Sequence, residues 1–196
     1  MVASYLRSKK VYNMKFNSIF FVFLLLCSTL TLSESYSKTD MAEYQVKALF
    51  LYNFANFVEW PETAFSSNEE ELKLCLYGNV PFGIFLDEVN GTLIGDRTLS
   101  IKRANTLNEI ENGCQILFVG DDKKVILPKF WGEIKYLYVL SIGEEKDFTT
   151  NGGIINIMRT TDQVQFEVNI SNALENGLFI SSDLLSLARK IRDNAQ

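Results

Sequence analysis

The chain contains no histidine, and this decides which chemistry its other residues can do. Ser-His-Asp and Cys-His constellations, His-ligated zinc and imidazole proton shuttles are all excluded. Carboxylate, Lys and Tyr chemistry remains. Two carboxylates stand out: Glu59, beside Trp60, and Glu167, which the strand pattern places on the exposed side of a hairpin. Neither has a second acid at a telling spacing, so general acid-base catalysis gains no support, and a hydrogen-bonded or solvated glutamate is the simpler reading. Arg159 ends a strand, where its fork of donors suits a carboxylate or phosphate; an internal pair with Glu167 across the hairpin is favoured over that. The turn GNVPFG (Gly78 to Gly83) puts backbone N–H groups at a helix start, yet it matches neither the dinucleotide fingerprint nor the P-loop. No cofactor is expected.

A different kind of site is offered by YNFANFVEWP (Tyr52 to Pro61). Tyr52, Asn53, Asn56, Glu59 and Trp60 form a mostly uncharged rim where a solvated helix would carry Lys and Glu. Amide and aromatic groups lose less on desolvation than ammonium or free carboxylate, so such a rim suits a small ligand or a second protein chain. The competing reading is that the amides cap neighbouring loops. With Arg159, these residues are the candidate ligand-binding set.

The elements that must position them follow from periodicity. Tyr44 to Trp60 reads as a helix, because Val46, Ala48, Phe50, Leu51, Phe54, Ala55, Phe57 and Val58 fill a wide apolar arc broken by Lys47; Pro61 ends it. Such an arc predicts a helix mostly enclosed by the domain. Strands are expected at Glu71 to Gly78, Thr98 to Ala104, Cys114 to Gly120 and Tyr136 to Ile142. Helices are expected from NVPFG through about Val89, around Leu107 to Glu111, and over Asp122 to Ile134. IINIMR (Ile154 to Arg159) and VQFEVNI (Val164 to Ile170) read as a hairpin, with Gln165, Glu167 and Asn169 on its polar face. Ser171 can cap a short helix stopped by Gly177. Ser181 or Ser182 can cap a closing helix with Leu184, Leu185, Leu187, Ala188 and Ile191 on its apolar side. The order predicts an α/β, three-layer sandwich: a mostly parallel mixed sheet, helices on both faces and an edge hairpin.

The first 35 residues read as an export signal. Arg7, Lys9, Lys10 and Lys15 give a positive start, Ile19 to Leu32 is almost wholly apolar, and Ser33 and Ser35 suit a processing peptidase. That run falls short of the roughly 20 residues a bilayer crossing needs. Met14 heads a regular signal of its own (MKFNSIFFVFLLL) and is read as the initiator. Cys27 follows three leucines rather than the small residue that lipidation prefers. Cleavage after Ser35 leaves one domain, residues 36–196, with 15 basic against 23 acidic residues. Nothing in that acidic balance favours nucleic acid, whose binding calls for clustered Lys and Arg, so it is not an expected partner. Cys75 and Cys114 are an even pair in an exported chain and are expected to be bridged; two separate buried thiols is the competing reading. They fall in the first and third core strands, neighbours in many doubly wound sheets.

Taken in order, YQVKALFLYNFANFVEWP, LCLYG, CQILFVG, VLSIGE, GGIINIMR, VQFEVNI and GLFISSDLLSLAR resemble the YfiR family of small periplasmic proteins, over about Tyr44 to Arg192. The resemblance implies an α/β sandwich, commonly a homodimer, with a disulfide that maps onto Cys75 and Cys114. It implies a non-enzymatic repressor in the periplasm of a Gram-negative bacterium. The repressor would bind the periplasmic sensor portion of an inner-membrane diguanylate cyclase and so lower cyclic di-GMP and biofilm formation. It also carries a partner-binding role onto Ile155, Glu167 and Asn169. Some relatives hold a second cysteine pair near the segment reading GEEKDFTTNGG here, which this chain lacks. The alternative is a periplasmic module that binds a small molecule or cell-wall fragment for a sensor kinase or transporter.

Overall fold

The computed structural model describes residues 38–67, 70–80, 82–111, 113–120, 122, 131–132, 137–160 and 163–194. The export signal, Met14 and most of the helix expected over Asp122 to Ile134 lie outside these residues. Ten strands are described: β1 (Val58–Glu59), β2 (Leu72–Tyr77), β3 (Leu93–Ile94), β4 (Arg97–Ala104), β5 (Ile116–Val119), β6 (Leu140–Gly143), β7 (Ile155–Arg159), β8 (Val164–Asn169), β9 (Phe179–Ile180) and β10 (Lys190–Arg192). The α-helices are α1 (Lys38–Asn56), α2 (Ile84–Asp87), α3 (Leu107–Glu111), α4 (Ile170–Glu175) and α5 (Ser182–Leu187). Eight strands make one curled sheet in the order β3-β4-β2-β5-β6-β7-β8-β10, and β1 pairs with β9 in a small separate sheet. Strands β4, β2, β5, β6 and β7 run parallel, β7 and β8 are antiparallel, and β10 joins β8 in parallel.

Alternation along the strands explains why this sheet needs two covers. Leu72, Leu74 and Leu76 of β2, Ile116 and Phe118 of β5, and Phe166 and Val168 of β8 share one cluster with Leu51 and Phe54 of α1. Cys75, Tyr77, Leu117 and Val119 point the other way, into a second cluster with Ile110 of α3 and Phe148. A strand buried on both faces has no polar positions left, hence the unbroken apolar β5. The mixed sandwich expected from the sequence is therefore the observed architecture. Phe148 is fitted between Gly143 and Gly153, where an added Cβ would come within 2.4 and 2.1 Å of its ring. Only glycine allows that approach.

Several boundaries differ from expectation. Helix α1 stops at Asn56 rather than Trp60, because Val58 and Glu59 pair with Ile180 and Phe179 and pull the chain into strand geometry. Asn56 Nδ2 donates to Tyr52 O at 3.0 Å and serves the last turn. The helix after Phe82 is a single turn. The cap of α4 is Asn169, whose Oδ1 accepts from Asn172 N at 3.0 Å, while Ser171 turns to Asp193. The closing helix ends at Leu187, since Arg189 N donates to Phe166 O and the chain becomes a strand on the free edge of β8. Leu187 and Ile191, expected on an apolar side, are exposed.

Cys75 and Cys114 are joined, with Cα atoms 5.8 Å apart and a sequence separation of 39. The bridge ties β2 to the start of β5. A loop of that length limits the unfolded chain by about 4 kcal/mol in the chain-entropy account. Replacing both cysteines by Ser, or reducing the bridge, should therefore lower unfolding stability by about 3 to 4 kcal/mol, read as a fall in urea midpoint with the slope checked for a changed unfolded state.

Candidate functional site

The rim expected around YNFANFVEWP separates into three parts. Asn53 and Asn56 are exposed on the outer face of α1, and Tyr52 is partly packed on the core. Glu59 is exposed on β1 opposite Phe179. Trp60 is held by the fold: its Nε1 donates to Tyr138 O at 3.0 Å. Tyr138 sits at φ +58°, a conformation non-glycine residues seldom adopt, so the indole helps fix a strained backbone.

Asn56 and Trp60 also border a cleft of about 510 Å³ that Ala55, Val58, Phe65, Leu72 and the turn Ile94 to Arg97 complete. Its Arg97 is engaged by the protein itself: Nη1 donates to Ser67 O at 3.1 Å and Glu70 O at 2.7 Å, and the guanidinium lies 3.5 Å from the Phe65 ring centre. Glu70 in turn receives Lys73 Nζ at 2.8 Å. That ammonium first, and then the Ser66 N–H, holds the Glu70 carboxyl below its ordinary value of 4.5. Tyr52, Asn53, Glu59 and Arg159 are not in the cleft lining. The Phe65 to Arg97 wall was beyond sequence reasoning, because it joins segments about thirty residues apart.

Arg159 does not meet Glu167. Register places Arg159 against Val164 and Glu167 against Asn156, so the two lie too far along the hairpin to pair. Arg159 instead binds Glu43 of α1, which also pairs with Lys47. Lys47, read as a break in the apolar arc, is 3% exposed and binds Glu144 after β6 as well; its ammonium lies 4.8 Å from the Tyr44 ring centre. Two carboxylates and a π face thus surround one buried cation. Val46 and Leu49, by contrast, are exposed, so α1 is less enclosed than its sequence predicts.

Glu167 is not on an exposed face. It is 4% exposed, receives Thr149 Oγ1 at 2.5 Å, and pairs with Arg192 at 3.3 Å. Asn169 (1%) and Ile155 (0%) are buried beside it. Asn169 Nδ2 donates to Thr149 O and to Asn194 Oδ1, both at 3.0 Å. Glu59 and Glu167 belong to different sheets, and the second is consumed by internal bonds. At the GNVPFG turn, Asn79 N is taken by Asp122 Oδ1 at 2.9 Å, and an added Cβ on Gly120 would lie 2.9 Å from Val80. The mouth between β2 and β5 is filled by the chain's own atoms. Among the described residues no group of His, Cys, Asp and Glu is placed to hold a metal, and no helix is long and apolar enough to cross a membrane.

These features define a mixed α/β domain whose strongest polar side chains hold its own frame together. The chain belongs to the YfiR/HmsC-like family, whose pattern matches residues 44–189. The family is one of periplasmic regulators linked to diguanylate cyclases, with regulatory rather than catalytic roles. No curated protein matches the chain. Two solved structures are similar in shape. One is an ABC domain in complex with L-Trp from Streptococcus pneumonia (TM-score 0.46, 11% identity, 62% of this chain and 55% of that one). The other is a conserved domain protein from Vibrio cholerae (TM-score 0.50, 7% identity, 76% and 60%). The chain thus spans somewhat more than half the length of each, and at 7% identity the likeness to the second is one of fold alone.

Two outcomes follow from this geometry. Lys47→Ala leaves Glu43 and Glu144 facing each other without their cation and should cost about 3 kcal/mol of stability, measured by chemical denaturation. Because the Glu70 pKa is lowered in the folded state, its contribution is present above 4.5 and is lost as pH falls through the folded value. Wild type and Glu70→Gln should therefore differ by a constant amount at neutral pH, and the gap should close in acid.

Proposed function

We propose that the exported chain, residues 36–196 after removal of the signal, is a non-catalytic repressor in the periplasm of a Gram-negative bacterium. It docks, as a homodimer, on the periplasmic sensor part of an inner-membrane diguanylate cyclase and so lowers cyclic di-GMP and biofilm formation. The observation that carries this reading is the family match, which runs from α1 to the end of α5.

The outer face of α1 supports it and supplies a surface. From Met41 to Asn56 the charged residues are Glu43 and Lys47, and both are turned inward into the ion-pair cluster. Met41, Ala42, Gln45, Val46, Leu49, Asn53 and Asn56 remain exposed. A helix face about 24 Å long without a charge is desolvated at little expense, which is what the centre of a docking surface requires. Ile155, Glu167 and Asn169 are buried, so in this reading they act on the partner by shaping the β8 end of the domain. The cleft beside Asn56 and Trp60 favours a second reading, a small-molecule or cell-wall ligand serving a sensor kinase or transporter; saturable thermal shifts with amino acids, nucleotides or cell-wall fragments are its test.

Deleting the gene should raise cyclic di-GMP and biofilm, and the purified chain should capture the cyclase's periplasmic part. Leu49→Glu and Asn53→Lys should each weaken that capture at least about tenfold while altering stability by no more than about 0.5 kcal/mol, as exposed substitutions do. Cyclic di-GMP that stays level in the deletion strain under several growth conditions counts against the repressor.

A further inference from the structure

Strand β10 is attached differently from the rest of the sheet. It meets β8 over three residues and has no strand on its other side among the described residues. Its apolar residue, Ile191, is 48% exposed, and Leu187 before it is 67% exposed. Hydrophobic burial therefore does little to hold this segment. Polar side chains do the holding, and they fit a preformed slot.

The slot is built from three buried side chains, Glu167, Asn169 and Asn172, and the half-buried Ser171. Arg192 Nε donates to Glu167 Oε2 at 3.3 Å. Asp193 Oδ1 accepts from Ser171 Oγ at 2.7 Å, and Asn194 N donates back to that Oγ at 2.9 Å. The Asn194 amide spans two buried asparagines, accepting from Asn169 Nδ2 and donating to Asn172 Oδ1, each at 3.0 Å. Asn169 and Asn172 are themselves fixed by Thr149 O, Gly153 O and the α4 cap, so they stay in place whether or not Asn194 is present. Three successive residues, Arg-Asp-Asn, are thus each held by side chains of one surface, with the Ser171 hydroxyl shared by Asp193 and Asn194. Main-chain pairing to β8 supplies the extended conformation, as in strand addition to a sheet edge.

We propose that the free edge of β8 with Glu167, Ser171, Asn169 and Asn172 is a peptide-accepting slot. Residues 189–194 cover it as a releasable strap, and an extended segment of a partner protein, with Arg and Asn two positions apart, takes their place. Release exchanges hydrogen bonds to protein for hydrogen bonds to water, a near-balanced trade where little apolar surface is involved. Opening is then a local event, separate from unfolding of the core. The apparent affinity for an incoming segment is reduced by the fraction of time the strap is closed, so loosening the strap raises it. This inference does not depend on which partner the α1 face meets.

The test uses the full chain and a labelled synthetic peptide with the sequence RKIRDN. Hydrogen exchange of the Lys190, Ile191, Arg192 and Asn194 amides should be faster than that of β5 and β7 in wild type, and about tenfold faster again in Asn194→Ala. The peptide should bind Asn194→Ala saturably and at least about tenfold more tightly than wild type. A peptide reading RKIADA should not bind. Should Asn194→Ala fail to fold, Asp193→Ala loosens the same strap while leaving the slot intact. The proposal is overturned if β10 amides exchange only through global unfolding, if RKIRDN binds neither protein, or if both peptides bind equally. A concentration-dependent dimer that Arg192→Ala abolishes would also overturn it, by assigning the slot to a second copy of the chain.

Discussion

The buried Lys47 ammonium is the constraint on which the outer surface depends. Removing an ammonium from water carries a penalty of several kcal/mol that one carboxylate repays only with good geometry. Here two carboxylates and the Tyr44 ring share the task. Glu43 lies one turn before Lys47 on the same helix, and Glu144 follows β6, so the cation pins α1 to the sheet. Glu43 reaches on to Arg159 at the end of β7. A single internal charge thereby fixes helix rotation, and rotation decides which side chains look outward. Had Lys47 pointed to solvent, the apolar arc would have turned with it and the amide stripe would have been buried.

That arrangement also explains what was legible in the sequence. β2, β4, β5, β6 and the hairpin were readable because alternation and unbroken apolar runs record burial on one or two faces. The helix of α1 was readable too, but not its end, since Val58 and Glu59 obey a pairing with residues more than a hundred positions away. Lys47 was visible as an anomaly within an apolar arc. Its partner Glu144 was not, because charge pairing across ninety-seven residues leaves no local trace. The disulfide was legible from cysteine number and strand order, whereas the cleft beside Trp60 was not.

The β8 end shows the same limit in its clearest form. Phe166 and Val168 alternate with Gln165, Glu167 and Asn169, and alternation of this kind normally marks a half-solvated strand. The polar face is covered all the same, because the turn around Phe148 and Thr149 folds over it and β10 lies along its edge. Periodicity reports that two faces differ in polarity; it does not report whether the polar one meets water. Glu167, Asn169 and Asn172 are tolerable in that interior because each finds specific partners, and their cost if left unpaired makes the local geometry rigid. The same satisfied network moved the cap of α4 from Ser171 to Asn169.

Two surfaces of opposite physical character result. The α1 face is held by ion pairs on its inner side and carries uncharged groups outward, so the docking proposed there requires no rearrangement and little desolvation. The β8 edge is the reverse: its receiving groups are rigid and buried, and what covers them is extended, polar and poor in apolar contact. A surface of the first kind confers steady affinity, since nothing must move before it binds. One of the second kind confers control, since its availability follows the opening of a strap. A regulator that must both stay near its target and respond to a change has use for each, and in this fold they are separated because one is built on a helix clamped by charge and the other on an edge strand that hydrophobic burial does little to hold.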